Sequence, residues 1–505
     1  MVTDWASRRA ELSPERPAVV QGETGKTWTY QAMAERAARI AGWLLTRGVG
    51  PGDRVALLGL NDLAHVDLWL VAGMTGIAVL PLNWRLSAEA LAPQVDLIRP
   101  KLLIYETAWA DVAKALATGR PWLEPIDAGD NWARWEEYWK TQTPVKPARI
   151  PPETPSMYLF TGGSTGEPKA VAIPHRQVFY NAVNTVIGWG LTLHDRAPVV
   201  TPMFHTGGYH VLLTPLYLVG GTVVIFRRFD PVAMIDAVYR YGLTRLFMVP
   251  SMYAMMADTS MSLVGSPLVW AISGGAPCPE PIIQRYRGWG IPLIQGYGLT
   301  EVGPNCFAAR DPATQPADAV GVPVFHLEIA LRDDDGQPVS DGAVGELWLR
   351  GPTVSLGYYG MPLEDQREFD ADGYFHTGDL AQIVSDGLVR IVGRKKDMFI
   401  SGGENVYPAA IEATLARHPA IQDVAVVGVP DPTWGEVGAA FVVRKPGTSW
   451  DPESWARWVA ERLGRYQVPK QWISVAQLPL TPMGKVDKRK LQAEWQKGGS
   501  GGVSA

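Results

Sequence analysis

Short apolar runs separated by helix-length gaps recur from residue 30 to residue 272, and this alternation constrains the fold more than any other feature of the sequence. The stretch 30–46 places Met33, Ala37, Ile40 and Leu44 on one helical face, and Gly48 stops it. Val55-Ala-Leu-Leu-Gly59 then reads as a strand, 64–74 as a helix, and Ile77-Ala-Val-Leu-Pro81 as a buried strand. Runs at 197–202, 222–226, 245–249 and 268–272 repeat the strand pattern. Strand, helix, strand, helix predicts parallel βαβ units, so the fold class is α/β.

Other features bound the organisation. A chain of 505 residues is too long for one ordinary domain. After about residue 318 short strands (Glu346-Leu-Trp-Leu-Arg350, Leu388-Val-Arg-Ile-Val392) alternate with Asp- and Gly-rich turns, which predicts a β-rich subdomain over 318–393. A helix at 408–417, strands at 424–429 and 439–443 and a helix at 455–463 form a small α+β unit of their own. The expected division is 1–393, a basic hinge at 394–396, a C-terminal domain over 397–495 and a flexible tail over 496–505. The uncharged stretch between His205 and Arg227 is broken by Pro215 and Gly220-Gly221, so it reads as core and not as a membrane span.

A net charge of −5 gives no general grip on nucleic acid. Two cysteines, Cys278 and Cys306, make neither a disulfide framework nor a metal pair, and with no apolar leader at the start the chain is expected in the cytoplasm.

The strongest chemical signal is Tyr158-Leu-Phe-Thr-Gly-Gly-Ser-Thr-Gly-Glu-Pro-Lys169. An apolar strand end runs into glycines, hydroxyls and one lysine. Glycine lets backbone N–H groups approach phosphate oxygens, hydroxyls add donors and the ammonium offsets charge. With four later segments this loop resembles the adenylate-forming superfamily of acyl-CoA synthetases, peptide-synthetase adenylation domains and luciferases. The family's phosphate loop is matched by Phe160 to Ala170, with Gly162, Ser164 and Ala170 as departures. Its YGxTE is Tyr297-Gly-Leu-Thr-Glu301, its TGD is Thr377-Gly-Asp379, its GRxKD is Gly393-Arg-Lys-Lys-Asp397, and its last lysine motif is Pro479-Leu-Thr-Pro-Met-Gly-Lys-Val486.

The resemblance implies the roles. ATP and a carboxylate give an acyl-adenylate and pyrophosphate, and a thiol, expected to be CoA, displaces AMP. Thr161, Gly163, Ser164, Thr165, Gly166 and Lys169 are expected on the phosphates, with Thr300 at the α-phosphate and Mg2+ on Glu301 and Thr161. Gly274-Gly-Ala-Pro277 (Gly274, Gly275, Ala276, Pro277) and Gln295-Gly-Tyr-Gly298 (Gln295, Gly296, Tyr297, Gly298) would enclose the adenine, while Asp379 and Arg394 take the ribose. Lys485 is expected to bridge carboxylate and phosphate during adenylation only, swung in about Lys396. The neighbouring Lys488, Arg489 and Lys490 read as a solvated basic tail.

Two features bear on the substrates. Pro202-Met-Phe-His-Thr-Gly-Gly208 resembles the acyl-CoA synthetase motif whose histidine stands beside the carboxyl group, so His205, Gly208 and Tyr209 are expected at the acid pocket. No Asp is placed to pair with an amino-acid ammonium. Trp434, with Ser401, Gly402, Gly403 and Tyr466, is expected at CoA. The expected reaction is a carboxylate–CoA ligation with an aliphatic acid of medium or greater length. An aryl acid is the runner-up; a carrier-protein acceptor and a catalytically silent nucleotide-binding homologue are the rivals. A homodimer is compatible with these features.

Overall fold

The computed structural model describes residues 2–162, 168–481 and 486–498. Among these, the α/β expectation holds: a large N-terminal domain is built on two mainly parallel sheets, and a small C-terminal domain follows. The first sheet has the spatial order Glu124–Asp127, Leu102–Tyr105, Arg54–Leu58, Ala78–Pro81, Pro155–Gly162, Pro168–Pro174. Its first five strands run parallel, and the last two form an antiparallel hairpin. The second sheet runs Thr27–Thr29, Pro17–Gln21, Thr222–Ile225, Arg196–Val199. It continues through the Thr244 N–H, which donates to the Arg196 carbonyl at 2.9 Å, into the parallel strands Arg245–Met248, Trp270–Ser273 and Leu293–Gln295.

Residues of wholly apolar strands such as Val55, Leu57, Val79 and Leu103 are fully buried, because helices cover both faces of a parallel sheet. The helix Tyr30–Thr46 has the bounds its periodicity predicts; Thr29 caps it by accepting the Ala32 N–H at 3.2 Å. The uncharged stretch after His205 folds as two short helices, Thr206–His210 and Leu213–Val219, and the buried strand Thr222–Ile225. Among the described residues no helix is long and apolar enough to cross a membrane.

The β-rich region is an antiparallel sheet of Glu328–Arg332, Val344–Arg350, Tyr374–Ile383 and Val389–Arg394. In Val344–Arg350 burial alternates strictly, with Gly345, Leu347 and Leu349 inward, as the two-residue period of a half-covered sheet requires. In the C-terminal domain Ile421–Asp431 and Gly435–Arg444 pair antiparallel, and Gln471–Ser474 lies parallel to the second of them. One expectation needs correction. Arg489 and Lys490 are exposed as expected, but with Lys488 they begin the helix Lys488–Gly498 and not a structureless tail: Leu491 is fully buried and Lys488 pairs with Glu412 at 2.7 Å. Ordered helix therefore runs past residue 496, where the flexible tail was expected.

Candidate active site

Strand register builds the site. Thr161 and Lys169 stand opposite each other across the hairpin Pro155–Gly162/Pro168–Pro174, so the two ends of the glycine-rich loop project together from one sheet edge. Gly163, Ser164, Thr165 and Gly166 lie outside the described residues, as does Lys485. Thr161 Oγ1 donates to Glu301 Oε1 at 3.3 Å, and the Tyr358 phenol donates to the same oxygen at 3.2 Å. The Glu301 backbone is tied by the Ser355 N–H at 2.8 Å, and Gln177 Nε2 donates to the Thr300 carbonyl at 2.9 Å. Burial raises the Glu301 carboxyl above its usual 4.5, while the hydrogen bonds and the Arg394 charge pull it back. Lys169 pairs with Glu368 at 2.6 Å and lies 4.4 Å over the Tyr358 ring.

A second corner is also set by register. Asp379 and Arg394 are cross-strand partners in Tyr374–Ile383 and Val389–Arg394, and Arg394 Nε sits 2.6 Å from Asp379 Oδ1. The Tyr297 phenol donates to Asp379 Oδ2 at 2.5 Å. Burial, with the Asp379 charge second, pushes that phenol well above its ordinary range, so Tyr297 is a neutral donor. Arg394 and Asp379 thus meet in space although the sequence separates them into two motifs.

Gly274 and Gly275 follow the strand Trp270–Ser273, and Gly275 has φ +85°. The Gly296 N–H donates to the Ser273 carbonyl at 2.7 Å, which draws the two glycine-bearing loops together. A side chain at Gly298 would strike the Pro304 backbone, so glycine is required there for the close approach of the two segments. Ala276 and Pro277 continue the first loop. Gln295 is different: its Oε1 accepts the Cys278 N–H at 2.9 Å and its Nε2 donates to the Ala317 carbonyl at 2.5 Å. Its amide braces the loops, a role the sequence reading did not assign to it. Cys278 and Cys306 are buried, with thiols pushed up to about 11 and about 12, so neither is a nucleophile.

On the acid side, His205 immediately precedes the helix Thr206–His210, and the Phe204 ring packs edge-on against it at 4.4 Å. Gly208 is required, since a Cβ there would lie 2.6 Å from the Pro202 carbonyl oxygen. Tyr209 is corrected: it is sealed in the core against His65 and His210 and offers no surface to a pocket. Sequence reasoning missed Phe247. Its half-buried ring is slotted between Gly207 and Gly274, where an added Cβ would come within 3.0 and 3.1 Å of it. It therefore stands between the histidine loop and the first adenine loop. The available signal was two glycines in separate motifs, each of which leaves room for a neighbour.

In the C-terminal domain Ser401, Gly402 and Gly403 form a tight turn, with φ +61° at Gly402 and +88° at Gly403. The Gly402 N–H donates to the Trp434 carbonyl at 2.9 Å, and the indole lies so close over Gly402 that a Cβ would be 2.7 Å from it. Trp434 is 48% exposed and Tyr466 42% exposed, so both present aromatic surface outward. Lys396 is exposed in the short turn Lys395–Asp397, between the β-rich sheet and the strand Phe399–Ser401.

The buried Glu301 carboxylate, the Asp379–Arg394 pair and the His205 segment stand in the motifs expected of one class, the AMP-forming acid–thiol ligases. The chain belongs to the AMP-binding enzyme family. The family signature matches residues 6–359, and that of the AMP-binding enzyme C-terminal domain matches 410–485. It is 37% identical over 497 residues to a feruloyl-CoA synthase of Amycolatopsis sp, covering 97% of this chain and 98% of that one. It is 33% identical over 500 residues to an indoleacetate–CoA ligase of Aromatoleum aromaticum, covering 96% of each. Among solved structures, ATP-bound MatB from Rhodopseudomonas palustris superposes with a TM-score of 0.89 at 27% identity, over 98% of this chain and 99% of that one. The protein is an ATP-dependent acid–CoA ligase.

The donors present suit a hard cation. Among the described residues no cluster of three or more His, Cys, Asp or Glu side chains forms a closed metal cage. Mg2+ characteristically takes one or two carboxylates and completes its shell with water and substrate phosphate, which one buried carboxylate beside a hydroxyl allows.

Proposed function

We propose that the enzyme joins an aryl or arylalkyl carboxylic acid to CoA, in place of the aliphatic acid that the sequence suggested. The observation that carries this reading is the Phe247 ring, held between Gly207, two residues after His205, and Gly274. A flat apolar face at that position suits an aromatic acid, since offset or edge-on ring contacts contribute about 0.5–1.5 kcal/mol beyond area burial. The full-length likeness to a feruloyl-CoA synthase and an indoleacetate–CoA ligase supports it.

In the first half-reaction a carboxylate oxygen attacks the α-phosphorus, the bond to the β-phosphate oxygen breaks, and pyrophosphate leaves. Lys169 moves from Glu368 to phosphate oxygens, Thr300 faces the α-phosphate, and Asp379 with Arg394 fixes the ribose. Mg2+ at Glu301 and Thr161 supplies charge that offsets the phosphates when bound. Lys485 spans the carboxylate and phosphate in this step. In the second half-reaction the CoA thiolate attacks the acyl carbonyl and AMP departs with the electron pair. Trp434 stacks on the CoA base beside the Ser401–Gly403 turn, with Tyr466 near it. Glu301 and Asp379 are held in place by their neighbours before substrate arrives, which is where electrostatic catalysis gains most, while Lys169 and Lys485 come to the phosphates with it.

The test is a panel of cinnamic, indoleacetic and phenylalkanoic acids against C8–C16 fatty acids, with AMP release as readout. Expected is a kcat/KM at least tenfold higher for the best aryl acid, falling about tenfold or more in Phe247→Ala while octanoate turnover changes little. A fatty acid preferred over every aryl acid would restore the aliphatic reading.

A further inference from the structure

Tyr358 has no part in the chemistry above, yet it touches both halves of the phosphate site. It is 7% exposed, its phenol donates to Glu301 Oε1 at 3.2 Å, and the Lys169 ammonium lies 4.4 Å over its ring. A buried tyrosine usually finds an acceptor, and a backbone carbonyl would do, as for Tyr30 on Gly221. Here the acceptor is a buried carboxylate, the residue assigned to the cation. The phenol and the Thr161 hydroxyl converge on one oxygen of it, which fixes the plane of the carboxylate.

The backbone of Tyr358 is held with unusual thoroughness. Gln366, 2% exposed, accepts the Tyr358 N–H at 2.7 Å and returns its own Nε2 to the Tyr358 carbonyl at 3.2 Å and the Met361 carbonyl at 2.7 Å. On either side the chain pairs with the strand that carries Lys169. Leu356 N–H donates to the Ala172 carbonyl at 3.0 Å, and Tyr359 N–H to the Ala170 carbonyl at 2.8 Å. A ring placed by so many fixed bonds costs little further entropy to use, which is what a preorganised support requires.

We propose that Tyr358, clamped by Gln366, is a positioning residue: it holds the Glu301 carboxylate in one orientation for a divalent cation while its ring backs the Lys169 ammonium. The proposal rests on the assignment of Glu301 to that cation, and the experiment separates the two. Mn2+ binding to the full-length enzyme with ATP, without acid, is followed by the electron paramagnetic resonance of free Mn2+. ATP binding in EDTA is followed by tryptophan fluorescence. Tyr358→Phe keeps the ring and removes one hydroxyl; it should weaken Mn2+ binding about 10-fold or more, the usual cost of losing an outer-shell partner. Metal-free ATP binding should change less than about twofold, because the cation–ring contact is kept. Gln366→Ala, which leaves the phenol in place but frees its backbone, should shift Mn2+ binding in the same direction, and it decides the matter if Tyr358→Phe does not fold. Glu301→Gln is the reference and should lose at least as much Mn2+ affinity. Parental Mn2+ affinity in Tyr358→Phe with a loss in Glu301→Gln overturns the role of Tyr358 and leaves the cation assignment standing. Parental affinity in both overturns the assignment as well. Equal losses of Mn2+ and metal-free ATP binding would mark Tyr358 as merely structural.

Discussion

The Glu301 and Asp379 corners of the large domain and the Trp434–Tyr466 face of the small domain are built in opposite ways. Glu301 and Asp379 are 8% and 3% exposed, and each is held by side chains from other strands or loops. Trp434 and Tyr466 are 48% and 42% exposed. The first surface is finished before any ligand arrives. The second is an open platform, the surface that the proposed reaction gives to CoA. A site that holds a shared nucleotide through two reactions gains from rigidity, while a surface that serves only one of them gains from being withdrawn in the other.

The largest test of this contrast is Lys485→Ala. Loss of a cation used in one transition state should slow adenylation about 10²–10³-fold, read by pyrophosphate exchange, and leave thioester formation from ready-made acyl-adenylate within about tenfold of the parent. Equal losses would make the lysine part of the fixed side. Asp379→Asn should behave differently, because the ribose is held in both steps. Single-turnover rates of both half-reactions are expected to fall together, by about 10–100-fold, through loss of a charge-assisted acceptor facing Arg394. A loss confined to one step would break the comparison.

Trp434→Ala addresses the open platform. The KM for CoA should rise about tenfold, as the removal of a stacked base of about 1–3 kcal/mol implies, with pyrophosphate exchange unchanged. The smallest effect concerns the contact between the domains. Arg417, beyond the helix Pro408–Leu415, pairs with Glu280 of the helix Glu280–Gly288 at 2.5 Å. Both partners are substantially exposed, so the pair is worth roughly 0–1 kcal/mol and is screened by salt. Glu280→Gln should shift the balance of domain placements and move the two half-reaction rates apart by at most about fivefold at low salt, with no difference in 0.5 M KCl as an order-of-magnitude screening condition. A larger effect that survives salt would show the small domain to be anchored and not poised.

Much of this was legible in the sequence because local rules and the fold agree. The helix Tyr30–Thr46 declares its buried face by period, and Asp379 and Arg394 each sit in a short motif. Their pairing was not legible, since cross-strand register is decided by turns and packing outside either motif. The helices Thr206–His210 and Leu213–Val219 merged into one uncharged run because a helix buried all round has no polar stripe to mark it. The last helix went unseen behind its first three basic residues, two of them exposed as read; Leu491 and Trp495, four apart, carried the helical signal and both pack in the C-terminal core. Tyr358 and Gln366 escaped notice for another reason. Neither carries a charge or belongs to one of the recognised motifs, and their worth lies in what they touch.

The pairing of Leu356 and Tyr359 with the strand Pro168–Pro174 has a consequence for how the chain is made. That strand is the outer edge of the first sheet, and its free hydrogen-bonding row is closed only by residues that emerge much later from the ribosome. Until residue 359 is available, a nascent chain carries an apolar sheet with an open flank, the kind of surface that recruits other strands. Fragments ending before that point should aggregate although all six strands of the sheet are present, and the smallest soluble unit of the large domain must reach past Tyr359.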